Sequence, residues 1–407
     1  MKLREDANQI IQASLRAVQP DQAVQAALKK ADLSGNLYLA AVGKAAWQMA
    51  HAASGLLTFR KGVVVTKYGH CMGDIPGIQI FEAGHPVPDK NSFRGTRKIM
   101  DMTADLTDKD TVVFLLSGGG SSLFELPLIP EEELADITQQ LLGCGADIVE
   151  MNTIRKRLSK VKGGRFAQHC LPAKIFSVVL SDIVGDPLDM IASGPAAADC
   201  STCEEAMDIV KKYNLKLSRE AAGFLKEETP KKLVNVETHI TGSVRQLCAA
   251  AAKEAEKLGY ETQILTDSLT CTARDAGSFL ASIARYHKDT KKSLAFVAGG
   301  ETIVKLTGKG TGGRNQELAL AAAEGIAGMK NTAVFSVGSD GTDGPTDAAG
   351  GYVDQDTFGR LKKYGVSISE TLGNNNAYFA LQCVDGLIIT GPTGTNVNDV
   401  SVLLIQR

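Results

Sequence analysis

The chain has 407 residues, enough for two domains with a core in each. Its 44 Lys and Arg against 46 Asp and Glu give a formal net charge of −2, which argues against a nucleic-acid or anionic-membrane surface. Eight cysteines over this length make no disulfide scaffold, the N-terminus has neither signal nor transit composition, and no run approaches about 20 apolar residues, so a cytoplasmic protein is expected.

In chain order, the first 30 residues read as helix, closing near Pro20 and restarting at Asp21 as an N-cap. Leu37–Val42 is a short apolar strand that opens into Gly43-Lys44 and a helix over Ala45–Leu57. Gly62–Lys67, Ile78–Ala83, Val112–Leu116 and Ile175–Leu180 repeat that form, with helical spacing over Ser92–Leu106 and Glu131–Gly143. Apolar runs alternating with helices predict an α/β fold with a parallel, doubly wound sheet. Ala221–Val236, which contains Lys226-Glu-Glu-Thr-Pro-Lys-Lys, is a candidate linker, and the chain divides into 1–235 and 236–407. After it the alternation resumes with strands at His239–Gly242, Thr262–Thr266, Leu294–Ala298 and Val334–Val337. Val384–Thr390 and Val400–Ile405 read as closing strands.

Several strand ends carry chemistry. Ser117-Gly118-Gly119-Gly120-Ser121-Ser122 directly follows Val112–Leu116; its amides, with the serines as added hydroxyl donors, can cradle a phosphate or carboxylate. The plainer reading is a flexible strand-to-helix turn. Asn152 precedes six basic residues between Arg155 and Arg165, a cationic wall for a small anion with Arg155 as a carboxylate clamp, or else a solvated helix face. Asp182, just past a strand, is placed to bind Mg²⁺ or accept a hydroxyl proton, and Lys44 to neutralise a transferring phosphoryl group. Gly308-Lys-Gly-Thr-Gly312-Gly313 matches the dinucleotide pattern G-x-G-x-x-G and keeps a dehydrogenase reading open. Asp340, Asp343 and Asp347 crowd the next loop, where carboxylates can hold a hard cation. Cys200-Ser-Thr-Cys203 lacks a second pair for zinc, and His85-Pro-Val-Pro88 reads first as a rigid loop.

Taken in order, these blocks resemble the type II (MOFRL-family) glycerate kinases. The matching segments are Gly43-Lys-Ala-Ala, Ala83-Gly-His-Pro-Val-Pro-Asp89, Ser117-Gly-Gly-Gly-Ser121, Asn152 with Arg155 and Lys162-Gly-Gly, and Ser181-Asp-Ile-Val-Gly-Asp186. They continue through Ile191-Ala-Ser-Gly-Pro195, Gly299-Gly-Glu301, Gly312-Gly-Arg-Asn-Gln-Glu317, Asp340-Gly-Thr-Asp-Gly-Pro-Thr-Asp347 and Gly391-Pro-Thr-Gly-Thr-Asn396. The resemblance implies a Rossmann-like N-terminal domain and a smaller C-terminal α/β MOFRL domain, with the active site in the cleft between them. It implies ATP- and Mg²⁺-dependent phosphorylation of D-glycerate, usually giving 2-phosphoglycerate, by a monomer or homodimer acting on small molecules.

On that resemblance Lys44, Asp182 and Arg314 are the expected catalytic residues. Ser117, Gly118, Gly119, Gly120, Ser121, Gly312 and Gly313 are expected to approach phosphates, Asn152 and Arg155 the substrate, and Asp340 and Asp343 the metal. Two blocks depart from the family pattern: Cys271-Thr-Ala-Arg274 replaces Gly-Glu-Ala-Arg, and Asn375-Asn-Ala-Tyr378 replaces Asn-Asp-Ser-Tyr. The alternatives are an NAD(P)-dependent hydroxypyruvate reductase and a non-catalytic sugar-acid-binding protein.

Overall fold

The computed structural model describes residues 2–29 and 31–407; Met1 and Lys30, within the first 30 residues expected as helix, lie outside the described residues. The chain forms two compact units, one of Ala23–Ser181 with Asp186–Thr241, the other of the chain up to Gln22 with Asp182–Gly185 and Gly242–Arg407.

The first unit is built on β1 (Asn36–Val42), β2 (Lys61–Lys67), β3 (Ile78–Ala83), β4 (Asp110–Leu116), β5 (Lys174–Leu180) and β6 (Val236–Gly242). Its strand order is β3-β2-β1-β4-β5-β6, and the pairs from β3 through β5 are all parallel. Every residue of β4 is buried, as expected of a strand covered on both faces. From β1 the chain winds outward through β2 and β3, then returns to lay β4 on the other side of β1. The strand order therefore reverses between β1 and β4, and it is at the carboxyl ends of strands at such a point that open α/β sheets take their ligands.

The second unit holds β7 (Glu261–Leu269), β8 (Leu294–Gly300), β9 (Thr332–Gly338), β10 (Gly350–Asp354), β11 (Leu387–Ile388) and β12 (Asp399–Ile405), in the order β11-β10-β9-β12-β8-β7. Only β7 and β8 pair in parallel; β12 runs antiparallel between β8 and β9, so this sheet is mixed rather than uniformly parallel. Alternate side chains serve opposite faces: Ala295 and Val297 join one core, Leu294 and Phe296 the other.

The first core also takes Ala7, Ile10, Ile11 and Leu15 of the helix Lys2–Ala17, and Tyr260 donates a buried 2.6 Å hydrogen bond to Asp6. The N-terminal helix thus groups with the C-terminal sheet and not with the rest of residues 1–235. Pro20 is itself the first residue of the next helix, Pro20–Leu28, a position that tolerates a missing N–H, so Asp21 is not its N-cap.

The expected linker is tied down. Thr229 donates 2.7 Å to the buried Asp199 carboxylate, and the Asp199 amide donates to Pro230 O at 3.0 Å. The chain passes between units at Thr241/Gly242 instead, and also on either side of Asp182–Gly185.

Candidate active site

In the first unit the β1 and β4 loops are bonded to each other. Gly43 has φ +121°, and a Cβ there would lie 2.2 Å from Ser117 Oγ, so only glycine makes this turn. The Lys44 amide donates to Gly118 O at 2.9 Å and the Ala45 amide to Ser117 Oγ at 3.1 Å. The Lys44 stem and the His85 ring both pack against Gly119, where a Cβ would meet His85 Cδ2 at 2.9 Å and Lys44 Cγ at 3.3 Å. His85 is held below its ordinary pKa, first by partial burial and then by the charge of Lys44. The ring thus lies beside the lysine with protonation disfavoured, at a position that the sequence pattern reads as loop.

The amides of Gly118 and Gly119 have no acceptor among the described residues. The serine hydroxyls are committed: Ser117 donates to Val42 O and Ser122 to Gly119 O. These two serines therefore add no free donors to the loop, contrary to expectation.

The helix Ile148–Arg157 starts from a capping box of Asp147 and Glu150, which sets the face carrying Asn152 and Arg155. Arg155 donates 3.0 Å to Ser121 O, and the fully buried Lys162 donates to Ser121 O (2.8 Å) and Phe124 O (2.9 Å). Both approach the buried Glu125, at 3.9 and 3.4 Å. Lys162 is pushed down to about 8, chiefly by burial, with Glu125 opposing. Lys156 pairs with Asp189 and Asp199 at 3.0 Å each, and Arg157 with Glu228 at 3.2 Å. Three of the six basic residues, Lys156, Arg157 and Lys162, are therefore buried against acids distant in sequence and do not form a solvated face. Their partners Glu125 and Asp199 could not be found from local pattern.

In the second unit Arg314 opens the helix Arg314–Ala323 and forks onto Asp399, Nε to Oδ2 at 2.5 Å and Nη2 to Oδ1 at 3.0 Å. Its Nη1 lies 3.1 Å from Glu301. Burial alone lowers the Arg314 pKa, but the hydrogen bonds and charge of Asp399 outweigh it and raise the guanidinium above its ordinary value. Asn398 donates to Glu301 Oε2 (3.2 Å) and to the Asp182 carbonyl (3.1 Å). Asp182 thus joins the Arg314 group, while Lys44 belongs to the other unit. Neither Asp399 nor Asn398 was singled out from sequence; each lies far along the chain from Arg314.

Asp343 is 2% exposed and accepts from the amides of Asn315 (3.1 Å) and Gln316 (2.8 Å). It supplies the helix start with its anion from within the chain, and a Cβ at Gly313 would lie 2.2 Å from its Cγ. Asp340 is half-buried and accepts from the Thr342 amide at 3.0 Å. Among the described residues no three His, Cys, Asp or Glu side chains are grouped to hold a metal ion.

Gly308 and Gly310 pack on the backbone of Asn374 and on Asn376, and residues 304–313 form no strand. The dinucleotide fingerprint therefore lacks its strand–turn–helix context, and its glycines serve chain packing. The two departing blocks meet beside this segment. Arg274 donates to Glu317 at 2.8 Å, and Asn375 bonds Thr307 N, Gly308 N, Lys305 O and Glu317.

Glycine turns at the carboxyl ends of parallel strands, a lysine on one of them and a forked arginine at a helix start define an α/β protein built to handle small anions. Two family models match the chain: a domain of unknown function, DUF4147, over residues 6–226, and the MOFRL family over residues 294–399. A D-glycerate 2-kinase of Thermotoga maritima is 51% identical over 99% of this chain and 98% of its own length. A glycerate 2-kinase of Pyrococcus horikoshii is 39% identical over 100% and 98%. The crystal structure of a glycerate kinase from Thermotoga maritima has a TM-score of 0.96 to this chain, at 50% identity over 99% of each. The chain belongs to the MOFRL-domain glycerate kinase family.

Proposed function

We propose that this chain is an ATP-dependent kinase that phosphorylates D-glycerate at its C2 hydroxyl, giving 2-phosphoglycerate and ADP. The full-length identity to glycerate 2-kinases supports the reaction class. The observation that carries the residue assignment is the packing of Lys44 against Gly119, at the point where the strand order reverses.

In this reading the glycerate hydroxyl oxygen bonds the γ-phosphorus as the bond to the β–γ bridging oxygen breaks. Asp182 takes the hydroxyl proton, and ADP leaves with the electron pair. Lys44 and Arg314 offset charge on the transferring group. The amides of Gly118 and Gly119 approach the anion, and Asn152 and Arg155 stand beside the loop on the substrate side. Gly312, Gly313 and Asp343 set the helix start and so aim Arg314.

We assign Mg²⁺ as the companion of ATP. The residues fit an ion carried mainly on phosphate oxygens and water, with Asp340 as a supporting carboxylate, because Mg²⁺ seldom uses an all-protein cage. When bound it shields charge on the β and γ phosphates. We also place the protein in the cytoplasm, a reading supported by eight free cysteines.

Phosphorus NMR of the protein with ATP, Mg²⁺ and D-glycerate tests the function. A phosphomonoester signal matching 2-phosphoglycerate is expected. No transfer to glycerate, together with NADH oxidation on adding hydroxypyruvate, would overturn the kinase reading.

A further inference from the structure

The segment Ile191-Ala-Ser-Gly-Pro195 has no part in the chemistry above, yet its backbone is strained. Ala192, Ser193 and Gly194 lie consecutively at φ 51°, 61° and 66°, and the first two are not glycine. Hydrogen bonds from the Gly163 amide to Ser193 O (2.9 Å) and the Gly164 amide to Gly194 O (2.7 Å) hold the bend. Its effect is to aim the fully buried Ser193 hydroxyl between two partners. Ser193 Oγ lies 2.9 Å from Asn152 Oδ1 and 3.1 Å from Ser121 Oγ.

The proton count along this chain is closed. Asn152 turns its Nδ2 toward Met190 Sδ, at 3.8 Å, and presents its carbonyl oxygen to Ser193. A carbonyl oxygen has no proton to give, so the single Ser193 proton goes to Asn152. The bond between the two serines must then use the Ser121 proton. The Ser121 hydroxyl is left with lone pairs only on its open side, while Arg155 and Lys162 fix the same residue through its carbonyl. Asn152 and Ser193 are buried, whereas Ser121 is partly exposed at the outer end of the relay.

We propose that Ser121 is a specificity-determining acceptor for an alcohol O–H of the bound ligand, oriented by the relay through Ser193 to Asn152. An anionic oxygen is repelled at this point and an alcohol is welcomed, so the Ser121 hydroxyl reads the uncharged end of a polyhydroxy acid rather than its carboxylate. Resting on the kinase reading above, the donor is the glycerate hydroxyl that is not phosphorylated. A ribose hydroxyl of the nucleotide has the same chemistry and is the second source to be distinguished.

The test compares D-glycerate with D-lactate, which lacks that hydroxyl, in the wild type, Ser121→Ala, Ser121→Thr and Ser193→Ala. The wild type is expected to favour glycerate by roughly 10⁴-fold in kcat/KM, since a site built to bond a hydroxyl rejects the analogue without it. Ser121→Ala should lower the glycerate value and leave the lactate value near wild type, collapsing the ratio. Ser121→Thr, which keeps a hydroxyl, should restore it, and Ser193→Ala should lower it in part. If the ratio of ATP to 2′- or 3′-deoxy-ATP collapses instead, Ser121 is an acceptor for ribose, and its assignment to the acid is overturned. Equal losses for every substrate pair would overturn the acceptor role altogether. Calorimetric binding of D-glycerate and D-lactate reads the same ratio without turnover, so failure of the kinase reading and failure of this inference are separate results.

Discussion

Lys162 Nζ lies 3.4 Å from Glu125 Oε2, and both side chains are fully buried. The ammonium also bonds Ser121 O and Phe124 O, so this pair anchors the end of the glycine loop from beneath. Removing one partner leaves a buried charge without its counter-ion, so Glu125→Leu and Lys162→Met should each destabilise the protein by about 3–5 kcal/mol. The double variant Glu125→Leu with Lys162→Met should recover much of that loss. Urea unfolding midpoints measure it, and losses that simply add in the double variant would deny the coupling.

Arg314 and Asp399 form the corresponding pair in the second unit, at 33% and 6% side-chain exposure. The two parallel N–H bonds require a planar fork, which lysine lacks. Arg314→Lys should therefore still fold, with the charge beside Asp399 kept, but lower kcat by about 100-fold or more. Asp399→Ala removes both fork bonds and leaves the guanidinium with Glu301 alone, and should lower stability as well as activity. An Arg314→Lys enzyme with wild-type kcat would remove Arg314 from the chemistry.

Lys44 is half-buried and has no ion-pair partner among the described residues, so cutting it back leaves no charge stranded. Lys44→Ala should change stability by less than about 0.5 kcal/mol while kcat falls by some 10²–10⁴-fold. Asp182→Asn, close to isosteric, should lower kcat by a similar factor. Circular dichroism melts with steady-state kinetics separate the two effects, and near-wild-type turnover in both variants would sink the assignments.

The first unit was the more legible from sequence. Its early strands are apolar runs too short for a helix, and all but β2 run directly into glycine or serine, while the Ser117–Ser122 turn announces itself. Strand order was not legible, because neighbours in a sheet are chosen by tertiary packing, and the switch point between β1 and β4 follows only from that order. The second sheet was harder. β10 begins Gly350-Gly-Tyr, a weak strand signature, and the expected strand Val384–Thr390 shrinks to Leu387–Ile388. Asp399 hides as the first residue of an apolar run, and nothing near it in sequence names Arg314 as its partner. The dense basic run from Arg155 misled for the same reason: its carboxylates, Glu125, Asp189, Asp199 and Glu228, come from elsewhere in the chain.

The pH response of the Arg314 helix offers a last test. Burial pushes the Asp343 carboxyl from an ordinary value near 3.8 up to about 6, with the amides of Gln316 and Asn315 pulling the other way. Between those two values the folded state binds more protons than the unfolded one. Stability from this group is therefore complete at the acid end and is lost as pH rises through about 6, a swing of about 3 kcal/mol. Asp343→Asn keeps the size of the side chain and cannot titrate. The difference in unfolding free energy between wild type and Asp343→Asn should change steadily from pH 4 to pH 6.5 and level off above it. A difference that stays constant across that range would mean that the two amides hold Asp343 ionised throughout, and that the helix start is insensitive to acid.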